Sequence, residues 1–85
     1  MMTPHTLTIR TRNDAVAVER LLQVTRYRGF QLVGMQLHEQ ADQQGMVIQL
    51  QVQSERPLSL LTGQLAKLYD VLQLDVHEVQ AQLRA

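Results

Sequence analysis

The chain has 85 residues, no cysteine, and equal numbers of basic (8) and acidic (8) side chains. Residues 1–85 read as one domain with a small core and no room for a deep catalytic cleft. The missing cysteines exclude disulfides, thiolate metal sites and a thiol nucleophile together. No apolar run approaches the ~20 residues needed to cross a membrane. The first residues lack the charged and apolar regions of a signal peptide, so the expected compartment is the cytoplasm.

Residues 6–11 alternate, with Leu7 and Ile9 on one face and Thr6, Thr8 and Arg10 on the other, as in a half-buried strand. A helix over about residues 14–28 follows. Asn13 or Asp14 is placed to accept from the free N–H groups of its first turn. Val18, Leu21, Leu22 and Thr25 recur at helical spacing. Arg26 and Arg28 stand where the helix dipole favours positive charge. Gly29 then supplies the left-handed residue that closes a helix at lowest steric cost.

Residues 31–39 form a second strand through Leu32, Val33, Met35 and Leu37. Leu32 is out of phase with the other three, and Gly34 marks a bulge or a close backbone approach that absorbs the change. Residues 40–45 are a polar hairpin loop. Met46, Ile48, Leu50 and Val52 then alternate with Val47, Gln49, Gln51 and Gln53, giving one apolar and one glutamine-rich face. Ser54 is a candidate cap and Pro57 suits the first turn of a second helix reaching to about Tyr69. Leu58, Leu61, Leu65 and Leu68 form its buried stripe. Gly63 inside it costs about 1 kcal/mol relative to alanine. Residues 71–79 close the sheet, with Leu72, Leu74 and Val76 on one face, and residues 80–85 are a loose tail. The core thus spans about residues 5–79.

The order β-α-β-β-α-β predicts an α+β, ferredoxin-like domain: a four-stranded antiparallel sheet with two helices on one face. Such a sheet hosts many activities, so function must come from residues. Sheet-face RNA binding needs aromatic side chains on the central strands, and residues 6–11 and 46–53 have none, so no nucleic-acid partner is expected. His5, His38 and His77 read as solvent-facing side chains at strand ends, not as metal ligands. No phosphate loop, nucleophile elbow or close carboxylate pair is present, so catalytic, cofactor-binding and metal-ligating residues are all expected to be none. Small-molecule sensing and subunit contact need no special chemistry and remain.

Two segments carry a resemblance. Glu19-Arg20-Leu21-Leu22 leads to Arg26-Tyr27-Arg28-Gly29-Phe30, and Gln64-Leu65-Ala66-Lys67-Leu68-Tyr69-Asp70-Val71 joins the second helix to the last strand. Their order, spacing and chain length resemble the ACT-domain small subunits of acetohydroxyacid synthase (acetolactate synthase), and within them the short isozyme II type. The resemblance implies an ACT domain that binds a large catalytic subunit. That subunit would carry thiamine diphosphate, magnesium and FAD, none of them held by this chain. It also implies a role in valine, leucine and isoleucine synthesis, where small subunits raise activity and often confer inhibition by valine. ACT domains that bind amino acids carry a glycine in the turn after the first strand. Here Ala15-Val16-Ala17-Val18 matches that stretch, and a β-branched Val16 blocks close backbone approach. A valine-insensitive activating subunit is the expectation. The alternatives are a free-standing amino-acid-sensing ACT protein that regulates another enzyme or a transcription factor, and a plain oligomerisation module.

Two sets of partner contacts are expected. Val33, Met35 and Leu37 are unusually apolar for an edge strand, which predicts a homodimer that continues the sheet through the second strand. Arg12, Arg26 and Arg28 are candidates for contacts with carboxylates of the large subunit. Arginines crowd the first third of the chain, while Asp70, Asp75 and Glu78 lie near its end. This asymmetry either orients docking or is an ordinary solvated surface.

Overall fold

The computed structural model describes residues 3–40 and 45–78; residues 41–44 of the hairpin loop, Val79 and the tail 80–85 lie outside the described residues. The order is β1 (Thr3–Arg12), α1 (Ala15–Tyr27), β2 (Gln31–Glu39), β3 (Gly45–Ser54), α2 (Ser59–Leu65) and β4 (Val71–Glu78). The strands form one antiparallel sheet in the order β2-β3-β1-β4. Both helices pack on the same face of it. This is the ferredoxin-like arrangement that the pattern predicts.

The register of the central pair explains the core. Leu7 faces Leu50 and Ile9 faces Ile48. Strand alternation therefore sends all four to the helix side, where none has any solvent exposure. Leu21 of α1, Leu61 and Leu65 of α2, and Phe30 between α1 and β2 complete the cluster. Val18, Leu22, Leu58 and Leu68 pack at its margin. The two helical stripes read from spacing are thus the ones used. Ala17 joins the first, because its methyl lets the backbone approach the sheet. Thr25 is buried and its hydroxyl donates to the Leu21 carbonyl at 2.7 Å, so the polar group enters the core already satisfied.

The ends of α1 are firmly set. Asp14 is the N-cap and accepts from the Val16 N–H at 3.0 Å. At the other end Gly29 has φ +84°. Its N–H donates to the Arg26 carbonyl and the Phe30 N–H to the Thr25 carbonyl, both at 3.0 Å. This pair of bonds is the Schellman closure, and it turns Phe30 into the core.

Two sequence expectations fail here. Ser54 is no helix cap. α2 begins at Ser59, and its N-cap position, Leu58, makes no side-chain cap bond. The Ser54 hydroxyl instead donates to the Gly29 carbonyl and accepts from the Arg56 N–H, both at 3.0 Å, tying the end of α1 to the end of β3. The second helix also stops at Leu65, short of Tyr69. Beyond it Lys67 and Leu68 donate to the carbonyls of Gln64 and Leu65, a tighter turn that ends the α-helical pattern while keeping Leu68 against the core.

Asp70 joins the top of the molecule. It is only 6% exposed. Its carboxylate accepts from Arg20 of α1 at 3.1 Å and its carbonyl accepts from the Arg12 N–H at 3.0 Å. One residue therefore links β1, α1 and β4. Asp70→Ala is expected to lower unfolding stability by about 1–2 kcal/mol, because it removes the bond to Arg20, whose half-exposed guanidinium returns to water, and opens a small void. A urea midpoint unchanged from that of the parent chain would contradict this.

Candidate partner-binding surface

The helix layer covers β3 and β1 but not the two edges. On β2 the ladder pairs Leu32 with Val52, then Gly34 with Gln51, Met35 with Leu50 and Leu37 with Ile48. The bulge is where the sequence places it, but the phase assignment changes. Val33 is the extra residue, whereas Leu32, Met35 and Leu37 share the helix-side face opposite buried partners. The Gln51 side-chain amide crosses Gly34, in the space that a Cβ there would take. Although they face the helix side, Met35 and Leu37 are each 41% exposed, and Val33 is 49% exposed. An open groove of about 340 Å³ runs beside this strand, floored by Leu22, Thr25, Phe30 and Leu32 and rimmed by Arg26.

On the far edge, β4 repeats the situation. Val76 and Leu74 pair with Leu7 and Ile9. Leu74 is partly buried, while Leu72 and Val76 are exposed. A register shift between Arg10 and Thr11 leaves Leu72 as the unpaired residue of β4, so Val71, opposite buried Thr11, takes the place beside Leu74 and Val76 that the sequence pattern gives to Leu72.

The three candidate arginines occupy two places. Arg12 ends β1, and its guanidinium lies 4.7 Å from the centre of the Tyr69 ring. Arg26 is in the last turn of α1 and Arg28 is its C-cap, with the Arg28 guanidinium 5.7 Å from the Tyr27 ring centre. The 13-residue α1 separates the two places by roughly 20 Å at ~1.5 Å per residue. Arg56 lies over Gly29 and adds to the second place. Sequence spacing alone did not bring out Tyr27 and Tyr69. They are two of the three aromatic residues in the chain, and both are exposed, each beside an arginine. Tyr27 beside Arg28 was findable from adjacency in the sequence; Tyr69 beside Arg12 was not.

The outer face of the sheet is polar and pairs with itself. Arg10 donates to Gln73 and Gln40, Gln53 donates to Gln31, and His77 bonds Thr8. His38 and His77 are exposed as expected. His5 is not: it is half-buried on β1, and its Nδ1 is enclosed without a hydrogen-bond partner, because β1 alternation turns it toward the helix layer with Leu7 and Ile9. Among the described residues no three His, Asp or Glu side chains converge on a point where a metal would sit. No described helix is long and apolar enough to cross a membrane. Val16 stands in the first turn of α1, 41% exposed, with its N–H already taken by Asp14.

Comparison with known proteins agrees with this geometry. The profile of the ACT domain matches residues 13–74. The acetolactate synthase isozyme 2 small subunit of Escherichia coli is 39% identical over 70 residues, which is 82% of this chain and 80% of that one. The small subunit of the same name from Shigella flexneri matches to the same extent. Among solved structures, the ACT domain from GTP pyrophosphokinase of Chlorobium tepidum superposes with a TM-score of 0.76. It covers 91% of this chain and 100% of that one at 13% identity, and so speaks to the fold alone.

Proposed function

Because this chain belongs to the ACT domain family, we propose that it is a non-catalytic regulatory subunit that binds and activates the thiamine-diphosphate-dependent large subunit of acetolactate synthase. The observation that carries this reading is the 39% identity over 82% of the chain to acetolactate synthase isozyme 2 small subunits. In this reading the protein acts in the cytoplasm, in branched-chain amino acid biosynthesis. Thiamine diphosphate, magnesium and FAD reside on the large subunit. The single domain supplies binding surfaces and no chemistry.

Activation is then a linkage effect. A subunit that prefers the active arrangement of its partner raises the active fraction by the ratio of its two affinities. A tenfold rise from a low starting population needs only about 1.4 kcal/mol of differential binding. Arg12, Arg26 and Arg28 are the proposed contacts with carboxylates of the large subunit, since a guanidinium makes paired hydrogen bonds to one carboxylate. The purified chain given pyruvate, thiamine diphosphate, magnesium and FAD is expected to form no acetolactate, and to raise turnover when the large subunit is added. Reversing Arg26 and Arg28 to Glu should weaken that activation. Turnover by the chain alone, or no response of the large subunit to it, would refute the reading.

The proposed homodimer joins β2 to its copy about a two-fold axis. Val33, Met35 and Leu37 are half-exposed on an edge whose outer backbone groups have no ladder partner among the described residues. Sedimentation at micromolar concentration should show a dimer, and Met35→Pro should shift it toward monomer. A monomeric parent chain would discard the β2 pairing.

Valine-insensitivity is supported by the first turn of α1. The Val16 N–H is bonded to the Asp14 side chain, and a β-branched side chain occupies the position where the resemblance to amino-acid-binding ACT domains implies a glycine. Millimolar valine is expected to leave both the melting temperature of the chain and the activity of the assembled enzyme unchanged. A valine-dependent rise in melting temperature would overturn this.

A further inference from the structure

We infer that the outer flank of α1 forms a second layer of the β2 homodimer: across the two-fold axis α1 packs antiparallel on α1 of a second copy, with Leu22 and Gln23 at the axis and Glu19 of each protomer paired with the partner's Arg26. This rests on the β2 pairing of the regulatory-subunit reading and gives that dimer a helical seam that selects a second copy of this chain.

Layer geometry leads to the seam. α1 sits on the β2 side of the sheet and α2 on the β4 side: Leu22 and Arg26 line a groove with Phe30 and Leu32, whereas Gly63 and Ala66 line another with Val71 and Leu72. Neighbouring strands lie about 4.8 Å apart and packed helices about 8–10 Å apart, so one helix spans the width of two strands. An antiparallel pair of β2 strands needs a two-fold axis normal to the sheet, which keeps both helix layers on one side. Continuing the sheet by one strand spacing then continues the helix layer by one helix spacing. The two α1 helices arrive about 9–10 Å apart and run in opposite directions.

The residues on that flank fit the arrangement. Glu19, Leu22, Gln23 and Arg26 line one shallow depression on α1. Leu22 is half-buried and the other three are exposed. Glu19 stands three positions before Leu22 and Arg26 three positions after Gln23. A two-fold axis through the middle of the Leu22–Gln23 step therefore exchanges them. Along one helix they are about 10 Å apart at ~1.5 Å per residue, too far to pair with each other. Neither has an ion pair among the described residues.

Charge selects the occupant. A patch with one acid and one base at mirrored positions is complementary to its own copy, and any other partner would have to carry the same spacing in reverse. The antiparallel seam joins Glu19 to the partner's Arg26 once on each side of the axis and leaves none of the four charges unpaired. It also covers the open side of Leu22. A slip of one helical turn would lose both pairs. The seam thus fixes the register of β2 on its copy, which the strand ladder alone leaves free to slip by two residues. Arg26 keeps its place in the surface offered to the large subunit, because a guanidinium has five donors and Glu19 of the copy occupies only one edge of it.

The test is a charge swap on the purified full chain, with the dimer dissociation constant measured by analytical ultracentrifugation at low salt. Glu19→Arg and Arg26→Glu change exposed side chains, and the far-UV circular dichroism spectrum should not change. Each single variant sets like charges together and should raise the dissociation constant about tenfold or more. The double variant Glu19→Arg/Arg26→Glu, and an equimolar mixture of the two single variants, restore opposite charges at every contact and should return to within about threefold of the parent. Parent-like dimerisation of both single variants, with Met35→Pro still shifting the chain toward monomer, would overturn the seam and leave the β2 pairing standing. Weakened single variants that neither the swap nor the mixture restores would overturn it too. A parent chain that is monomeric at micromolar concentration would remove the β2 pairing, and this inference with it.

Discussion

Two short helices cannot cover four strands, and most of what distinguishes this surface follows from that shortfall. α1 has 13 residues and α2 only 7. Together they bury the helix-side faces of β1 and β3, where Leu7, Ile9, Ile48 and Leu50 reach zero exposure. They leave the same face of β2 and β4 half open. Strand alternation nevertheless puts apolar residues there, because the edge strands must pair in register with the central ones. Met35 and Leu37 on one side and Val76 on the other are thus core residues by pattern and surface residues by position, while Leu72 is the inserted residue of β4. For a domain this small, leaving such area in water is a real loss, at about 25 cal/mol per Å². Partners that cover both edges would recover it.

The same shortage of core makes the junctions important. Gly29 ends α1 and directs Phe30 inward. Ser54 reaches back to the Gly29 carbonyl from the end of β3. Asp70 ties β1, α1 and β4 at the opposite pole. Each junction is a polar group satisfied at the edge of the apolar cluster, so the backbone is pinned without an unpaired buried charge. The consequence is two rigid poles. One presents Arg12 on Tyr69, and the other presents Arg26, Arg28 and Arg56 around Tyr27 and Gly29. Arginines held against rigid neighbours lose less rotamer freedom on meeting a carboxylate than free ones do.

Much of this was legible in the sequence because local and global signals agree. Period-two runs marked β1 and β3, the Leu58, Leu61, Leu65 and Leu68 spacing marked the second helix segment, and Gly29 marked the end of the first. What was not legible depended on distance in the chain. Ser54 looked like a helix cap because its true partner, the Gly29 carbonyl, is remote in sequence. The second helix looked longer because a tightened turn keeps Leu68 at nearly helical spacing. The bulge at Gly34 was visible, but only the ladder to β3 shows that Val33, and not Leu32, is the inserted residue. His5 looked like a strand-end side chain until the register turned it inward. At the surface, Met35 and Leu37 were recognisable because β2 falls at an edge in this topology. Arg12 was recognisable as a candidate contact, but its stacking on Tyr69 was not, since nothing local indicates that residues so far apart stack.

Hydrogen–deuterium exchange on the assembled enzyme tests most directly whether the uncovered edges are interfaces. β1 and β3 should exchange slowly in the isolated chain and in the complex alike, since each is paired on both sides. β2 and β4 should exchange faster than these in the dilute, isolated chain and become as slow as the central strands when the catalytic subunit is bound. If both edge strands exchange in the complex as fast as they do alone, the account is wrong.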